Sequence, residues 1–296
     1  MFISDFDFDS DSGTDSAMLF ITMRTLLKRI VSGVRYALIG MGASGWLLRH
    51  GWLGLVETRR YLSSKYLLGH GVEIGALGNP LPLPPGVSTF YVDRVARDES
   101  QLIYPDASSN PHVEPDRVED GFSLPSIAAE SLDFVIGNHV LEHAPDFFGA
   151  LARWSDVIRV EGQVFAAVPL ASECFDRKRT ITDSMHFIED YQCLLSGRVS
   201  DFERNTLNHC REYLSLSCPE IDREMGRVVH CYDEEELERR ANEMMTGRVD
   251  IHYHTFSLPS LKKALELYVS EVRNNMAIAA IERSRLEIVF VLKKTK

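Results

Sequence analysis

The chain has 296 residues, 45% hydrophobic and 25% charged, the proportions of a soluble globular protein with room for one large α/β domain plus appendages or two small ones. Its formal net charge of -11 argues against a general nucleic-acid binder, which needs a basic face to displace counterions. The five cysteines are odd in number, lie in the second half and form no C-x-x-C pair, so they read as reduced thiols of a cytoplasmic protein.

Residues 1–17 are mostly Ser and Asp, with Gly, Thr and three Phe, and Asp5, Asp7, Asp9, Asp11 and Asp15 repel one another. Such a segment cannot bury enough surface to order itself and is expected to be a disordered acidic tail. It lacks the basic flank of a signal peptide. Residues 18–66 read as a helical lid segment, and within it Tyr36 to Leu48 is the most apolar stretch. That stretch is too short for the roughly 20 apolar residues of a membrane span. A packing helix is the plainer reading; peripheral membrane contact through 36–56, using Trp46, Trp52 and neighbouring Arg, is the sharper one.

From Gly71 the rhythm changes to α/β. Strands are expected at 72–75, 88–93, 132–138 and 163–169, each a short β-branched or aromatic run. Gly75 and Gly78 open a turn beyond the first, at the edge where open α/β sheets bind ligands, and Asp93 closes the second, the usual place for a grip on a ribose diol. The loop after Gly78 reads Asn79-Pro80-Leu81-Pro82-Leu83-Pro84-Pro85-Gly86 and cannot be a helix. A dinucleotide pyrophosphate wants a helix N-terminus there, so a nucleoside without phosphates fits better than NAD. The segment 98–131 shows few helix signals. Phe147 to Ile158 is expected to be a helix capped by Asp146, with Phe147, Leu151, Trp154 and Ile158 on one face. Residues 171–256 form a polar, mostly helical insertion, Leu258 to Val272 another helix, and Met276–Ile281 with Leu286–Leu292 a closing hairpin.

The run Asp133-Phe134-Val135-Ile136-Gly137-Asn138-His139-Val140-Leu141-Glu142-His143 delivers Asn138 and His139 to the same edge as Gly75. With Glu73, Asp93 and the strand ending Val168-Pro169, this order resembles class I S-adenosylmethionine-dependent methyltransferases. Val72 to Leu77, Asn79-Pro80-Leu81-Pro82, Tyr91-Val92-Asp93-Arg94, Phe175-Asp176-Arg177 and His252-Tyr253-His254 look like a bacterial branch associated with glycosyltransferases. The resemblance covers 67–296. It implies a Rossmann-like α/β fold: a mostly parallel seven-stranded sheet, an antiparallel last strand and a helical insertion after the fifth. It also implies residue roles. Glu73 and Gly75 would meet the methionine end of the cofactor, beside Asn138; Asp93 would hold the ribose hydroxyls; Asp120 with the Gly121 and Phe122 backbone would read the adenine; Ala76 and Arg94 would complete the cofactor-binding set.

Methyl transfer is an in-line displacement governed by proximity and alignment. A sugar hydroxyl as acceptor needs a base, and His139 is the candidate. Asp176, Arg177, Arg179, His186, His252 and His254 follow the fifth strand's edge, where a small-molecule or glycan acceptor would dock, with hydrogen bonding to a polar acceptor preferred over a metal at His186, His252, His254 and Asp176. His209-Cys210, Cys218 and His230-Cys231 fit no standard zinc spacing. One departure stands out: the usual Lys-Pro-Gly-Gly turn before the fifth strand is Arg159-Val160-Glu161-Gly162 here, so a local stability cost is expected. The expected activity is O-methylation; the alternative is a methyltransferase-like scaffold without turnover.

Overall fold

The computed structural model describes residues 53–296 apart from 106–109 and 248, and single positions at 37, 38, 41, 43, 44 and 47. The chain divides into two compact units, Met1–Leu53 and Gly54–Lys296, and everything below concerns the second. The expected acidic tail, and most of the stretch expected to touch a membrane, lie outside the described residues. No helix among the described residues is long and apolar enough to cross a membrane.

The second unit opens with helix α1, Leu55–Tyr66, and then strand β1, His70–Ile74. Next come β2, Ser88–Asp93, a short helix α2, Arg97–Ile103, and β3, Arg117–Val118. Strand β4 is Leu132–Asn138, helix α3 Phe147–Val157, and β5 Ile158–Pro169. The insertion holds α4, Ser184–Leu195, α5, Val199–Glu212, α6, Cys218–Glu224, and α7, Glu234–Gly247. Helix α8, Leu258–Leu267, precedes the hairpin of β6, Met276–Arg283, and β7, Glu287–Lys294. The seven strands run β3-β2-β1-β4-β5-β7-β6. Pairing is parallel from β3 to β5, while β7 lies antiparallel between β5 and β6. This is the Rossmann-like class I methyltransferase fold that the resemblance implies.

The strands form where β-branched and aromatic side chains are buried on both faces: Val72, Ile74, Phe134, Val135, Ile136, Val164, Phe165 and Phe290 have almost no exposure. Helix α3 starts at Asp146, whose carboxylate accepts from the Gly149 N–H at 2.8 Å, and it buries Phe147, Phe148, Leu151 and Trp154 in the main core. Trp154 lies against β4 so closely that a Cβ on Gly137 would stand 2.3 Å from the Trp154 ring. Gly137→Ala is therefore expected to destabilise the protein by about 1–3 kcal/mol, the range for overpacking a filled core; an unchanged urea midpoint would contradict this contact.

Helix α1 falls in the same compact unit as the sheet, which begins at Gly54. Two details differ from the sequence expectations. The run Arg159-Val160-Glu161-Gly162 is a bulge inside β5 rather than a turn ahead of it: Leu132 pairs with Ile158 and Phe134 with Gln163, so four residues oppose one. Glu161 takes φ 70 there, which glycine would adopt without strain, and its carboxylate meets Lys293 at 2.6 Å. Finally, 98–131 carries all of α2 except Arg97, and all of β3. Only Ser100 of α2 is buried, so no apolar stripe announces that helix.

Candidate functional site

The strand order reverses between β1 and β4, and at such a switch point the loops after the two carboxyl ends part and leave a crevice. A cavity of about 710 Å³ lies there, walled by Glu73, Gly75 to Pro82, Asn138 and His139, with Leu55, Val56 and Arg59 of α1 closing one side. Gly75 turns the chain out of β1 with φ 61, a conformation that disfavours a side chain, and a Cβ there would crowd Val140 at 3.1 Å.

Glu73 is 1% exposed. The proline loop folds back so that the Leu81 N–H donates to both its oxygens at 2.9 and 3.1 Å; in Asn79-Pro80-Leu81-Pro82 the prolines have no N–H to offer. Burial pushes the Glu73 carboxyl up to about 7, and Leu81, Arg59 and Asn138 only partly offset it. Beside it, the buried Asn138 amide lies close enough to Glu73 to ease that charge, but neither of its polar atoms has a hydrogen bond within 3.5 Å among the described residues. Leaving such groups unpaired costs about 1–3 kcal/mol, which a ligand with a matching donor and acceptor would recover.

The second wall is an ionic array that joins distant parts of the chain. Arg59 on α1 donates from Nε to Glu287 Oε1 at 2.9 Å and from Nη2 to Oε2 at 2.5 Å. His139 Nε2 donates to the same Oε2 at 2.7 Å. Because β7 is antiparallel, its first residue, Glu287, sits opposite Pro169 at the ligand edge. Burial works against the Glu287 charge, but His139 and Arg59 hold its carboxyl below the ordinary value. His139 itself takes φ 57, and its Nδ1 lies 3.4 Å from Glu142 Oε1. Glu142 is fully buried, and neither of its carboxylate oxygens has a hydrogen bond among the described residues.

The ribose and adenine candidates are placed differently. Asp93 is half-buried, burial raises its carboxyl, and the Arg94 N–H donates to it at 2.7 Å. The Arg94 guanidinium reaches Tyr104 and Asp250, and Asp250 also meets His143 Nδ1 at 2.8 Å. Asp120 caps its own turn: Phe122 N–H donates to Oδ1 at 3.1 Å and Ser123 Oγ to Oδ2 at 2.6 Å. The Phe122 N–H expected to read a base is thus used internally, and the Gly121 carbonyl accepts from Trp154 Nε1 at 2.8 Å. Ala76 lines the cavity; Asp93, Arg94, Asp120, Gly121 and Phe122 lie outside it.

The acceptor candidates separate into three groups. Asp176, Arg179 and His252 form a buried network: His252 Nδ1 to Asp176 Oδ2 at 2.5 Å, Arg179 Nη1 to Asp176 Oδ1 at 3.1 Å, and Arg179 also to the His252 and Tyr253 carbonyls. With its side chain wholly buried and its donors engaged by protein, Arg179 is not presented to a docking anion. Arg177 is exposed and pairs with Glu220 and Glu224. His186 and His254 meet Asp190 and His209 in a separate cluster. Sequence reasoning missed Glu287 and Arg59 as functional candidates, and it considered His209 only with Cys210, Cys218, His230 and Cys231; for the cluster the signal was His186 and Asp190 four apart on one helix face.

No family model matches the chain, and neither does any curated protein. Solved structures do. A Rhodobacter sphaeroides protein provisionally described as a Zn-dependent alcohol dehydrogenase aligns over 81% of this chain and 90% of its own, with 15% identity and a TM-score of 0.46. A SAM-dependent methyltransferase from Methanosarcina mazei aligns over 78% and 95%, with 13% identity and a TM-score of 0.38. One from Aquifex aeolicus aligns over 78% and 86%, with 7% identity and a TM-score of 0.37. These scores are low, so the fold rests on the strand order itself.

Proposed function

We propose that this chain binds S-adenosylmethionine in the β1–β4 cavity and transfers its methyl group to an oxygen of a polar small molecule or glycan precursor. The observation that carries the reading is the pair of unpartnered amide atoms on Asn138, buried in the wall of that cavity beside the Gly75 turn. One donor and one acceptor in that position suit the carboxylate and ammonium of an amino acid. Gly75 lets the backbone approach, Glu73 offers a carboxylate to a cation, and Asp93, which ends β2 outside the cavity wall, would offer one to a diol extending along that edge. The bound cofactor supplies an electrophilic methyl group on a sulfonium.

The chain's own part is to hold the acceptor in line and take its proton. Glu287 and Arg59 fix the His139 ring through Nε2, which leaves Nδ1 as the nitrogen without a hydrogen bond and thus the basic one. Glu142 stands 3.4 Å from Nδ1, where its charge would favour the imidazolium formed. The net charge argues for a small or glycan acceptor rather than nucleic acid, and five free cysteines support a cytoplasmic location.

Calorimetry with S-adenosylmethionine and S-adenosylhomocysteine tests the reading. Both are expected to bind at one site per chain. Asp93→Ala is expected to weaken binding about 10–100-fold, the worth of one charge-assisted hydrogen bond at about 1.5–3 kcal/mol. Unchanged affinity would remove Asp93 from the site, and no binding of either compound by the native chain would favour the scaffold reading.

A further inference from the structure

We propose that His186, Asp190, His209 and His254 form a closed four-ligand site for a divalent transition-metal ion of the zinc type. The site lies in the insertion, and none of the four residues lines the β1–β4 cavity. One ligand atom from each falls within 4.8 Å of the others. His186 and Asp190 stand four apart on α4 and so share a face, His209 comes from the last turn of α5, and His254 comes from the extended segment ahead of α8.

The spacings fit one ion. Ligands about 2.0–2.2 Å from a tetrahedral centre lie roughly 3.3 Å from each other. Around the cluster His186 Nε2 is 2.7 Å from His209 Nε2 and 3.0 Å from Asp190 Oδ2, and His254 Nε2 is 3.8 Å from Asp190 Oδ2. The chemistry of the donors agrees, since imidazole with one carboxylate suits zinc, whereas magnesium and calcium take oxygen ligands.

His254 supplies the independent observation. It is 1% exposed, yet neither ring nitrogen has a hydrogen-bond partner among the described residues. A shared proton between His186 and His209 satisfies those two rings but does nothing for His254. An ion at the centre would take one nitrogen from each of the three rings. Around the ligands Asn205 Nδ2 donates to the other Asp190 oxygen at 2.8 Å, orienting that carboxylate, and the Phe187 ring packs 4.9 Å from His254. Four protein ligands leave no open position, so the ion is structural and ties the segment at 250–256 to α4 and α5.

The full chain, stripped with chelator and dialysed, is titrated with Zn²⁺ by calorimetry and with Co²⁺ by visible absorption. One ion per chain is expected, with the intense absorption of four-coordinate cobalt and a higher thermal midpoint on adding zinc but not magnesium. His254→Ala should lose the cobalt spectrum, and Asn205→Ala, which removes only the orienting bond, should weaken zinc by about 10–100-fold. Cys231→Ser, on an exposed side chain outside the cluster, should change neither. If the His254 variant does not fold, the native spectrum and Asn205→Ala decide. No uptake by the native chain, a six-coordinate cobalt spectrum, or zinc affinity unaltered by Asn205→Ala would overturn the site.

Discussion

Glu287→Ala is expected to lose about 3–5 kcal/mol of stability at pH 7, because it removes one partner of a buried ion pair and leaves the other charge without compensation. The Glu287 side chain is wholly buried and that of Arg59 is 11% exposed, so water cannot replace the lost contact cheaply. Three hydrogen bonds converge on the carboxylate, two from Arg59 and one from His139. Exchanging both charges, Arg59→Met with Glu287→Met, should recover most of the loss, since a well-packed apolar pair often matches a buried ion pair. Urea denaturation of the three proteins reads this directly. A loss below about 1 kcal/mol in Glu287→Ala, the worth of an exposed pair, would mean that the array is hydrated and does not fix α1 to the sheet. A second substitution at this position tests the His139 assignment. Glu287→Gln retains an acceptor but no charge, so it should lower turnover more than it changes acceptor KM if the carboxylate positions a base.

The sheet was legible because its signal is local. Val72, Ile74, Phe134, Val135 and Ile136 announce strands wherever they are paired, and Asp146 announces a helix start through a bond three residues away. Strand β3 has two residues, too few for any period, and α2 buries only Ser100 while its two apolar residues, Leu102 and Ile103, are exposed. The site was legible only where its residues follow strands in order, as Gly75, Asn138 and His139 do. Glu287 reads as a surface charge after Arg285-Leu286; it turns inward only because an antiparallel β7 brings its first residue to the ligand edge, next to an arginine 228 positions away. The His-x-His pair shows the same limit. His252 and His254 look like one unit, but Asp176 takes the first and the α4–α5 pair the second, a division set by helix packing and not by spacing. His209 was obscured by its neighbour Cys210, which faces a small core with Leu214, Ala241, Ile251 and Tyr253.

Glu73→Gln is expected to make the protein more stable at pH 8 and to leave it unchanged near pH 4.5. The carboxyl titrates at about 7 in the folded protein against 4.5 as the ordinary value, with burial the main cause. A raised carboxyl means that the unfolded chain gives up its proton first. Stability attributable to Glu73 is therefore intact below about pH 4.5, falls through the window from 4.5 to 7, and is fully lost above it. The difference of about 2.5 pH units corresponds to about 3 kcal/mol. Glutamine keeps an acceptor for the Leu81 N–H and carries no charge to desolvate. Urea midpoints at pH 5 and pH 8 measure the effect; an equal response of both proteins would show that Glu73 is solvated. The strained charge also connects to the proposed ligand. A cation placed against Glu73 stabilises its ionised form, so affinity for S-adenosylmethionine should rise as pH climbs to about 7 and level off beyond, while Glu73→Gln binds more weakly and without that rise. An equal rise with S-adenosylhomocysteine would place the ammonium group against Glu73, and a rise confined to S-adenosylmethionine would place the sulfonium there.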